Sequence, residues 1–229
     1  MNIAILNLSS PDKGFDRHGN AAELIERWIS PSFSEAKFSP IYIAIGEPLP
    51  DTPTNYDGYI LSGSEKGVYD ETEWMEPLKK FLDQVKEQKI PVFGICFGHQ
   101  IMAEVFGGKA EKSDAGFVVG VHEYNEEESS YTAHAMHQDQ VVEVPKGATV
   151  IASASYCPVA ALNYDFPARS VQFHPEFQKP LVEDAIDAFE GKLLTDREIE
   201  HARDTMQTGT VEPSLYAEEI AEFFRQSIS

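Results

Sequence analysis

The sequence predicts an α/β fold of three layers, in which helices cover both faces of a central, mostly parallel mixed sheet. Three observations predict it. Apolar runs alternate with amphipathic helical patterns in the first half of the chain, short strand-like runs fill the middle, and helical patterns return at the end. No linker or low-complexity tract interrupts the 229 residues. We therefore interpret residues 1–229 as a single domain with a helical C-terminal extension over about 180–229.

The individual elements follow from hydrophobic periodicity and from helix-ending residues. In the first half, strands are expected at residues 3–8, 41–45, 59–61 and 90–95, and helices at residues 20–29, 74–88 and 99–106. Gly107-Gly108 is expected to end the last of these helices. Antiparallel strands are expected at residues 117–124, 131–136, 149–154, 159–162 and 170–173, followed by helices at 181–189, 196–206 and 215–228.

The charge composition limits the kinds of partner that the protein is expected to bind. Lys and Arg total 18 and Asp and Glu total 38, which gives a formal net charge of −20. Such a surface argues against nucleic acid and against anionic membranes, because both require clustered Lys and Arg. Two cysteines form no disulfide framework, and no apolar run reaches the roughly 18 residues of a membrane span. We predict a cytoplasmic protein that binds neither nucleic acid nor membrane.

The strongest chemical signal is a cysteine between a predicted strand and a predicted helix. Cys96 stands in the pattern Gly-x-Cys-x-Gly, the sulfur form of the nucleophile elbow. Small residues at Gly94 and Gly98 permit the sharp turn, and the start of a helix favours a thiolate. The N–H of Phe97 is placed to hold an oxyanion. We therefore interpret Cys96 as a nucleophile, and Cys157, which has no such setting, as structural.

A base for this nucleophile is predicted much later in the chain. An apolar run ends at His174, Pro175 breaks the strand, and Glu176 follows. With this spacing a carboxylate can turn back to the imidazole and fix its tautomer. His134 and His137 could suggest a metal, but no further ligand completes a site. We predict no metal and no cofactor.

These two motifs resemble those of the class I glutamine amidotransferases. The resemblance rests on Gly-Ile-Cys-Phe-Gly-His-Gln at 94–100 and Gln-Phe-His-Pro-Glu at 172–176, and it covers nearly the whole chain. It implies the flavodoxin-like fold of that family and a catalytic set of Cys96, His174 and Glu176. The substrate it implies is glutamine or another γ-glutamyl small molecule, cleaved through a γ-glutamyl thioester on Cys96.

The same resemblance implies further site residues. The segment at residues 59–64 is similar to the family's oxyanion strand, which implies an oxyanion hole of Ser64, Phe97 and Gly63. The segment at residues 136–141 is similar to its substrate-binding loop, which implies that Gln100, Gln138 and Asp139 hold the glutamyl group. The segments at 62–65 and 136–138 depart from the synthetase-linked pattern. The C-terminal helices, including residues 202–206, and the segment from Gly63 to Trp74 look more like free-standing relatives, the GMP-synthase-like amidotransferases and plant γ-glutamyl peptidases.

Three functions remain open at this point. The first is a glutaminase that hands ammonia to a separate ammonia-accepting synthetase. The second is a γ-glutamyl peptidase acting on glutathione conjugates or γ-glutamyl amines, which a roomy cleft at Cys96 would favour. The third is a catalytically silent regulatory subunit, which the intact set of Cys96, His174 and Glu176 disfavours.

Overall fold

The computed structural model describes residues 1–11, 16–114, 116–127 and 129–228. The strands are β1 Asn2–Leu6, β2 Lys37–Ile41, β3 Gly58–Leu61, β4 Val92–Ile95, β5 Lys109–Lys112, β6 Val118–Asn125, β7 Ser130–His137, β8 Asp139–Glu143, β9 Ala148–Ala154, β10 Cys157–Tyr164 and β11 Ala168–Val171. The α-helices are α1 Ala21–Ile29, α2 Met75–Glu87, α3 Phe97–Val105, α4 Lys179–Phe189, α5 Asp196–Thr208 and α6 Pro213–Ile228. Short 3₁₀ turns occupy Asp16–His18, Ile43–Ile45 and Pro53–Asn55.

A large mixed sheet organises the fold. Its strand order is β2-β1-β3-β4-β11-β10-β9-β6-β7, and β5 pairs with β8 in a second, two-stranded sheet. The pairs from β2 through β1, β3 and β4 to β11 are parallel, whereas β10, β9, β6 and β7 continue antiparallel. The carboxyl ends of β3, β4 and β11 therefore lie side by side, which is where open α/β sheets place their ligands.

Alternation along the parallel strands divides the core into two layers. Ile3 and Ile5 of β1 face the layer that contains α1 and α6, whereas Ala4 and Leu6 face the layer that contains α2 and α3. Successive side chains of a strand point to opposite faces, so a strand buried on both faces is apolar throughout. Burial of a side chain the size of Ile or Leu stabilises the folded state by roughly 1.5–3 kcal/mol relative to leaving it exposed.

The last three helices pack onto the sheet. Val119 and Val121 of β6 form a third apolar cluster with Ile199 and Ala202 of α5. Gly120 makes this approach possible: its φ is +109°, and a Cβ there would lie 3.2 Å from the Ala202 Cα. Within the described residues, none of the helices is both long and apolar enough to cross a membrane.

The structure corrects one predicted strand and adds two strands that were not predicted. The strand expected at 41–45 is wrong, because the second strand is Lys37–Ile41 and Ile43–Ile45 forms a 3₁₀ turn. Pro40 argues against a strand at this position, because proline has no N–H to donate to a neighbouring strand. It is tolerated here because β2 is an edge strand of the sheet. The unpredicted strands are β5 and β8, which pair with each other.

Candidate active site

A sharp turn presents the Cys96 side chain between β4 and α3. Strand β4 ends at Ile95 and α3 begins at Phe97, so Cys96 is the residue at the helix N-terminus. Its φ of 52° lies in the left-handed region, which is a strained backbone for a residue with a side chain. The turn is held by the Cys96 N–H, which donates to the Val171 carbonyl of β11 over 2.8 Å.

The glycines on either side of Cys96 are sterically required. A Cβ at Gly94 would lie 2.7 Å from the carbonyl carbon of Gly98, and a Cβ at Gly98 would lie 2.8 Å from the Leu61 carbonyl oxygen. Both distances are far inside van der Waals contact, and backbone atoms have little room to give. The Gly-x-Cys-x-Gly pattern therefore reflects two close backbone approaches.

The neighbouring strand β11 delivers His174 to the same edge of the sheet. The His174 N–H donates to the His134 carbonyl over 2.8 Å, which anchors the segment to β7. The ring stacks on Phe177 with centroids 3.9 Å apart and planes at 6°. Its Nδ1 lies 2.7 Å from Glu176 Oε1. Because a carboxylate only accepts, Nδ1 carries a proton and the other ring nitrogen faces away from Glu176.

Gly63 lies between the imidazole and the cysteine. A Cβ built on Gly63 would be 3.0 Å from His174 Cε1 and 3.6 Å from Cys96 Cβ. The Cys96 sulfur also acts on the imidazole, because it raises the pKa of His174. The structure thus brings together Cys96, His174 and Glu176, whose exposed fractions are 6%, 4% and 5%.

Charge at this cluster favours a protonated imidazole. Burial alone lowers the pKa of His174, but the Glu176 carboxylate and the Cys96 sulfur outweigh it and raise that pKa to about 10. Nearby groups that can carry negative charge favour the charged form of an imidazole, which explains the direction. The arrangement suits an imidazolium that stands between a thiolate and a carboxylate.

The predicted oxyanion residues lie after β3 and at the start of α3. Phe97 is fully buried as the first residue of α3, where backbone N–H groups lack helical partners. Gly63 and Ser64 follow β3, and this turn is held by Ser62, whose Oγ donates to the Gly63 carbonyl over 2.8 Å. The Ser64 hydroxyl accepts from the Lys66 N–H over 3.2 Å.

The predicted substrate residues lie on α3 and at the start of β8. Gln100 is buried, and its Nε2 donates to the Asp139 carbonyl over 2.9 Å and to Gln172 Oε1 over 3.1 Å. The Gln138 carbonyl accepts from the Ser113 N–H over 3.2 Å. Protein groups thus already occupy the Gln100 amide nitrogen, and direct contact of Gln100 with a substrate stays a prediction.

Gln172 is a site residue that the sequence reasoning did not single out. It is fully buried, and its Nε2 lies 3.7 Å from Cys96 Sγ. Tyr69 is a second one, since burial and the nearby Asp139 carboxylate raise the pKa of its hydroxyl to about 12. A polar residue between two apolar neighbours, as at position 172, is the signal that could have been used.

Other features surround the site. Cys157 is fully buried, and burial raises the pKa of its thiol to about 12, as suits a structural cysteine. Among the described residues, no group of three or more His, Cys, Asp or Glu side chains could hold a metal ion. A cavity of about 180 Å³ lies beside Glu176 and is lined by Trp28 and Phe177, but not by Cys96.

Comparisons with known proteins agree on one family. A family model named glutamine amidotransferase class-I matches residues 21–208. Gamma-glutamyl peptidase 3 of Arabidopsis thaliana is 29% identical over 177 residues, which cover 70% of this chain and 71% of that protein. A glutamine-hydrolysing GMP synthase subunit of Methanocaldococcus jannaschii is 31% identical over 140 residues, which cover 56% of this chain and 70% of that protein.

Solved structures agree on the fold. A glutamine amidotransferase of Methylobacillus flagellatus superposes with a TM-score of 0.76 at 18% identity, over 99% of this chain and 94% of that one. The predicted fold class is therefore confirmed. The chain spans 58% to 71% of the length of four Arabidopsis γ-glutamyl peptidases that it matches. Since the family model covers most of its residues, the chain belongs to the class I glutamine amidotransferase family.

Proposed function

We propose that this protein hydrolyses a γ-glutamyl amide bond through a γ-glutamyl thioester on Cys96. One observation carries the proposal. A strained cysteine at a helix N-terminus lies beside a buried imidazole, whose Nδ1 is held by Glu176 at 2.7 Å. This is the arrangement of nucleophile, base and orienting carboxylate that acyl transfer requires.

The chemistry divides into two halves. The Cys96 sulfur attacks the γ-carbonyl carbon and forms a C–S bond, while the carbonyl π pair moves onto oxygen. When that oxyanion collapses, the C–N bond breaks and the protonated His174 gives its proton to the leaving amine. His174 then takes a proton from water, which attacks the thioester and releases glutamate and the free Cys96 sulfur. Glu176 keeps the imidazole oriented throughout.

Backbone donors stabilise the oxyanion in this proposal. The N–H of Phe97, at the start of α3, is one donor, and the N–H of Ser64, beside Gly63, is the other. A single such donor typically contributes on the order of 10²–10³ in rate. Gln138 and Asp139 hold the glutamyl group from the start of β8, where Asp139 is already tied to Gln100 at 2.9 Å.

The leaving group distinguishes two candidate functions. A glutaminase would release ammonia to a separate synthetase, and the similarity to the GMP synthase subunit of Methanocaldococcus jannaschii supports that function. A γ-glutamyl peptidase would release a larger amine, and the similarity to four γ-glutamyl peptidases supports that one. The departures at residues 62–65 and 136–138 also favour the peptidase, because the family resemblance assigns both segments to the substrate pocket.

A substrate panel tests the proposal. Glutamine, glutathione and γ-glutamyl alkylamides are offered to the wild-type protein and to Cys96→Ala, with Cys157→Ala as the matched cysteine control. We expect turnover of at least one γ-glutamyl compound, loss of it in Cys96→Ala and its retention in Cys157→Ala. Turnover of glutamine alone excludes the peptidase. Turnover that survives in Cys96→Ala contradicts the mechanism, and no labelling of Cys96 by a γ-glutamyl-trapping reagent would revive the silent regulatory function.

A further inference from the structure

Two buried glutamines connect the Cys96 sulfur to the start of β8. Gln172 Nε2 lies 3.7 Å from Cys96 Sγ, and Gln172 Oε1 accepts from Gln100 Nε2 over 3.1 Å. Gln100 Nε2 also donates to the Asp139 carbonyl over 2.9 Å. Gln172 is 0% exposed and Gln100 is 3% exposed, so water does not compete for these bonds. The path runs without a break from β8 to the sulfur.

The partners fix the orientation of both amides. The Asp139 backbone oxygen can only accept, so the group of Gln100 that faces it is the NH₂ group. Both hydrogens of that NH₂ are used, one on Asp139 and one on Gln172. The Gln172 group facing Gln100 must therefore be its oxygen, and its NH₂ group then faces Cys96. Amide orientation here follows from the hydrogen-bond network.

We infer that Gln172 donates a hydrogen bond that stabilises the Cys96 thiolate, and that Gln100 is a positioning residue that holds Gln172 in the donating orientation. This inference rests on the proposed function, in which a thiolate is the nucleophile. A hydrogen bond to a charged acceptor is stronger than one to a neutral group, so the donor favours the thiolate over the thiol. Gln172 approaches the sulfur in addition to His174.

The link to Asp139 gives the pair a further consequence. The Asp139 carbonyl also accepts from His137 Nδ1 over 3.1 Å, so this carbonyl is held by two donors. Asp139 stands in the segment expected to hold the glutamyl group. The two amides therefore join the segment expected to hold the glutamyl group to the Cys96 sulfur.

Few other groups near Cys96 titrate in the useful range. Among the described residues, the Cys96 sulfur contributes to the pKa shifts of His174, Tyr156 and Cys157. Burial raises the pKa of Cys157 to about 12 and raises that of Tyr156 well above its ordinary value. Between pH 5 and pH 9 a change in Cys96 reactivity therefore reports on the sulfur and on His174.

The test is the pH dependence of Cys96 alkylation by iodoacetamide, followed by intact mass on the full chain in a Cys157→Ala background. Gln172→Met keeps the length of the side chain and removes the donor. We expect the midpoint of its profile to move up by about one pH unit, with alkylation below the midpoint about tenfold slower. Gln100→Met, which does not touch the sulfur, is expected to give a smaller shift of about threefold in the same direction.

Gln84 supplies the control. It is an exposed glutamine of α2, and Gln84→Met is expected to leave the profile unchanged. Profiles of Gln172→Met and Gln100→Met that coincide with wild type would overturn the inference, and so would an equal shift in Gln84→Met. If Gln172→Met fails to fold, the alkylation profile of Gln100→Met alone tests the inference. The readout needs no substrate, so a shifted profile without any γ-glutamyl turnover would reject the proposed function and leave this inference standing.

Discussion

Replacing Gly63 by alanine tests whether the geometry between His174 and Cys96 controls the chemistry. The added methyl would lie 3.0 Å from His174 Cε1 and 3.6 Å from Cys96 Cβ. The second distance is an ordinary contact, whereas the first is too short. The backbone of Gly63 lies outside the left-handed region, so alanine can adopt it without strain. The substitution therefore acts on the imidazole and leaves the chain conformation intact.

The size of the effect follows from that one short contact. Carbon atoms pack at roughly 3.5–4.0 Å, so the ring must retreat by about 0.5 Å or more. Its stacking on Phe177 and its bond to Glu176 oppose the movement. A misplacement of about 1 Å costs on the order of 10² in rate. We expect Gly63→Ala to lower kcat by between about 10-fold and 100-fold, with the free energy of unfolding changed by less than about 1 kcal/mol.

The assay is steady-state hydrolysis of the best γ-glutamyl substrate, with urea unfolding as the measure of stability. Gly209→Ala is the control, because its added methyl would lie 2.5 Å from Val121 Cγ1, away from the candidate site. We expect this control to lose stability and keep kcat. A Gly63→Ala protein with wild-type kcat would refute the account of the site. Equal losses of kcat in both variants would show that crowding anywhere in the fold impairs activity.

Three further predictions concern ionisation and the second cysteine. Glu176→Gln is expected to lower kcat by on the order of 10²–10⁴, because an amide cannot stabilise the His174 imidazolium; unchanged kcat would contradict the role of Glu176. Burial lowers the pKa of His99 to about 4 and that of His137 to about 3, so below about pH 6.5 the unfolded chain binds protons that the folded chain excludes. Each of these two histidines should contribute about 2 kcal/mol less stability at pH 5 than at pH 8. The raised pKa of His174 acts in the opposite direction, so the measurement is the difference between wild type and His99→Gln in urea unfolding at the two pH values, in which the His174 contribution cancels. High salt screens the formal charge of −20, and an equal pH dependence in the two proteins would argue against a neutral buried His99. Cys157→Ala is expected to keep kcat within about twofold and to lose about 1 kcal/mol of stability, as measured by activity and by urea unfolding; a large loss of activity would give Cys157 a part in catalysis.

The elements that sequence alone predicts are those with long or complete apolar patterns. Helix α2, at Met75–Glu87, buries Leu78, Leu82 and Val85 at regular helical spacing, and the sequence predicts it within one residue at each end. Strand β5 escapes prediction because it has only four residues and buries only one of them, Ala110. Such a strand carries no periodicity, and its position depends on its pairing with β8.

The candidate site divides in the same way. The sequence predicts the chemistry of Cys96, His174 and Glu176, because each stands in a compact local pattern. Their proximity follows because the strands that precede them, β4 and β11, are parallel neighbours. The bonds between Gln100, Gln172 and Asp139 are different, because they join segments that lie far apart in the chain. Amide orientation depends on which partners the fold supplies, and no local spacing encodes it.

The central claim is a covalent bond between Cys96 and a γ-glutamyl group. It is tested most directly by mixing the protein with excess γ-glutamyl substrate, quenching the mixture in acid and measuring the mass of the intact protein by mass spectrometry. We predict a mass increase of one γ-glutamyl group on the wild-type protein, mapped to Cys96 by peptide analysis and absent from Cys96→Ala. An adduct on Cys157, or an equal adduct in Cys96→Ala, would contradict the account.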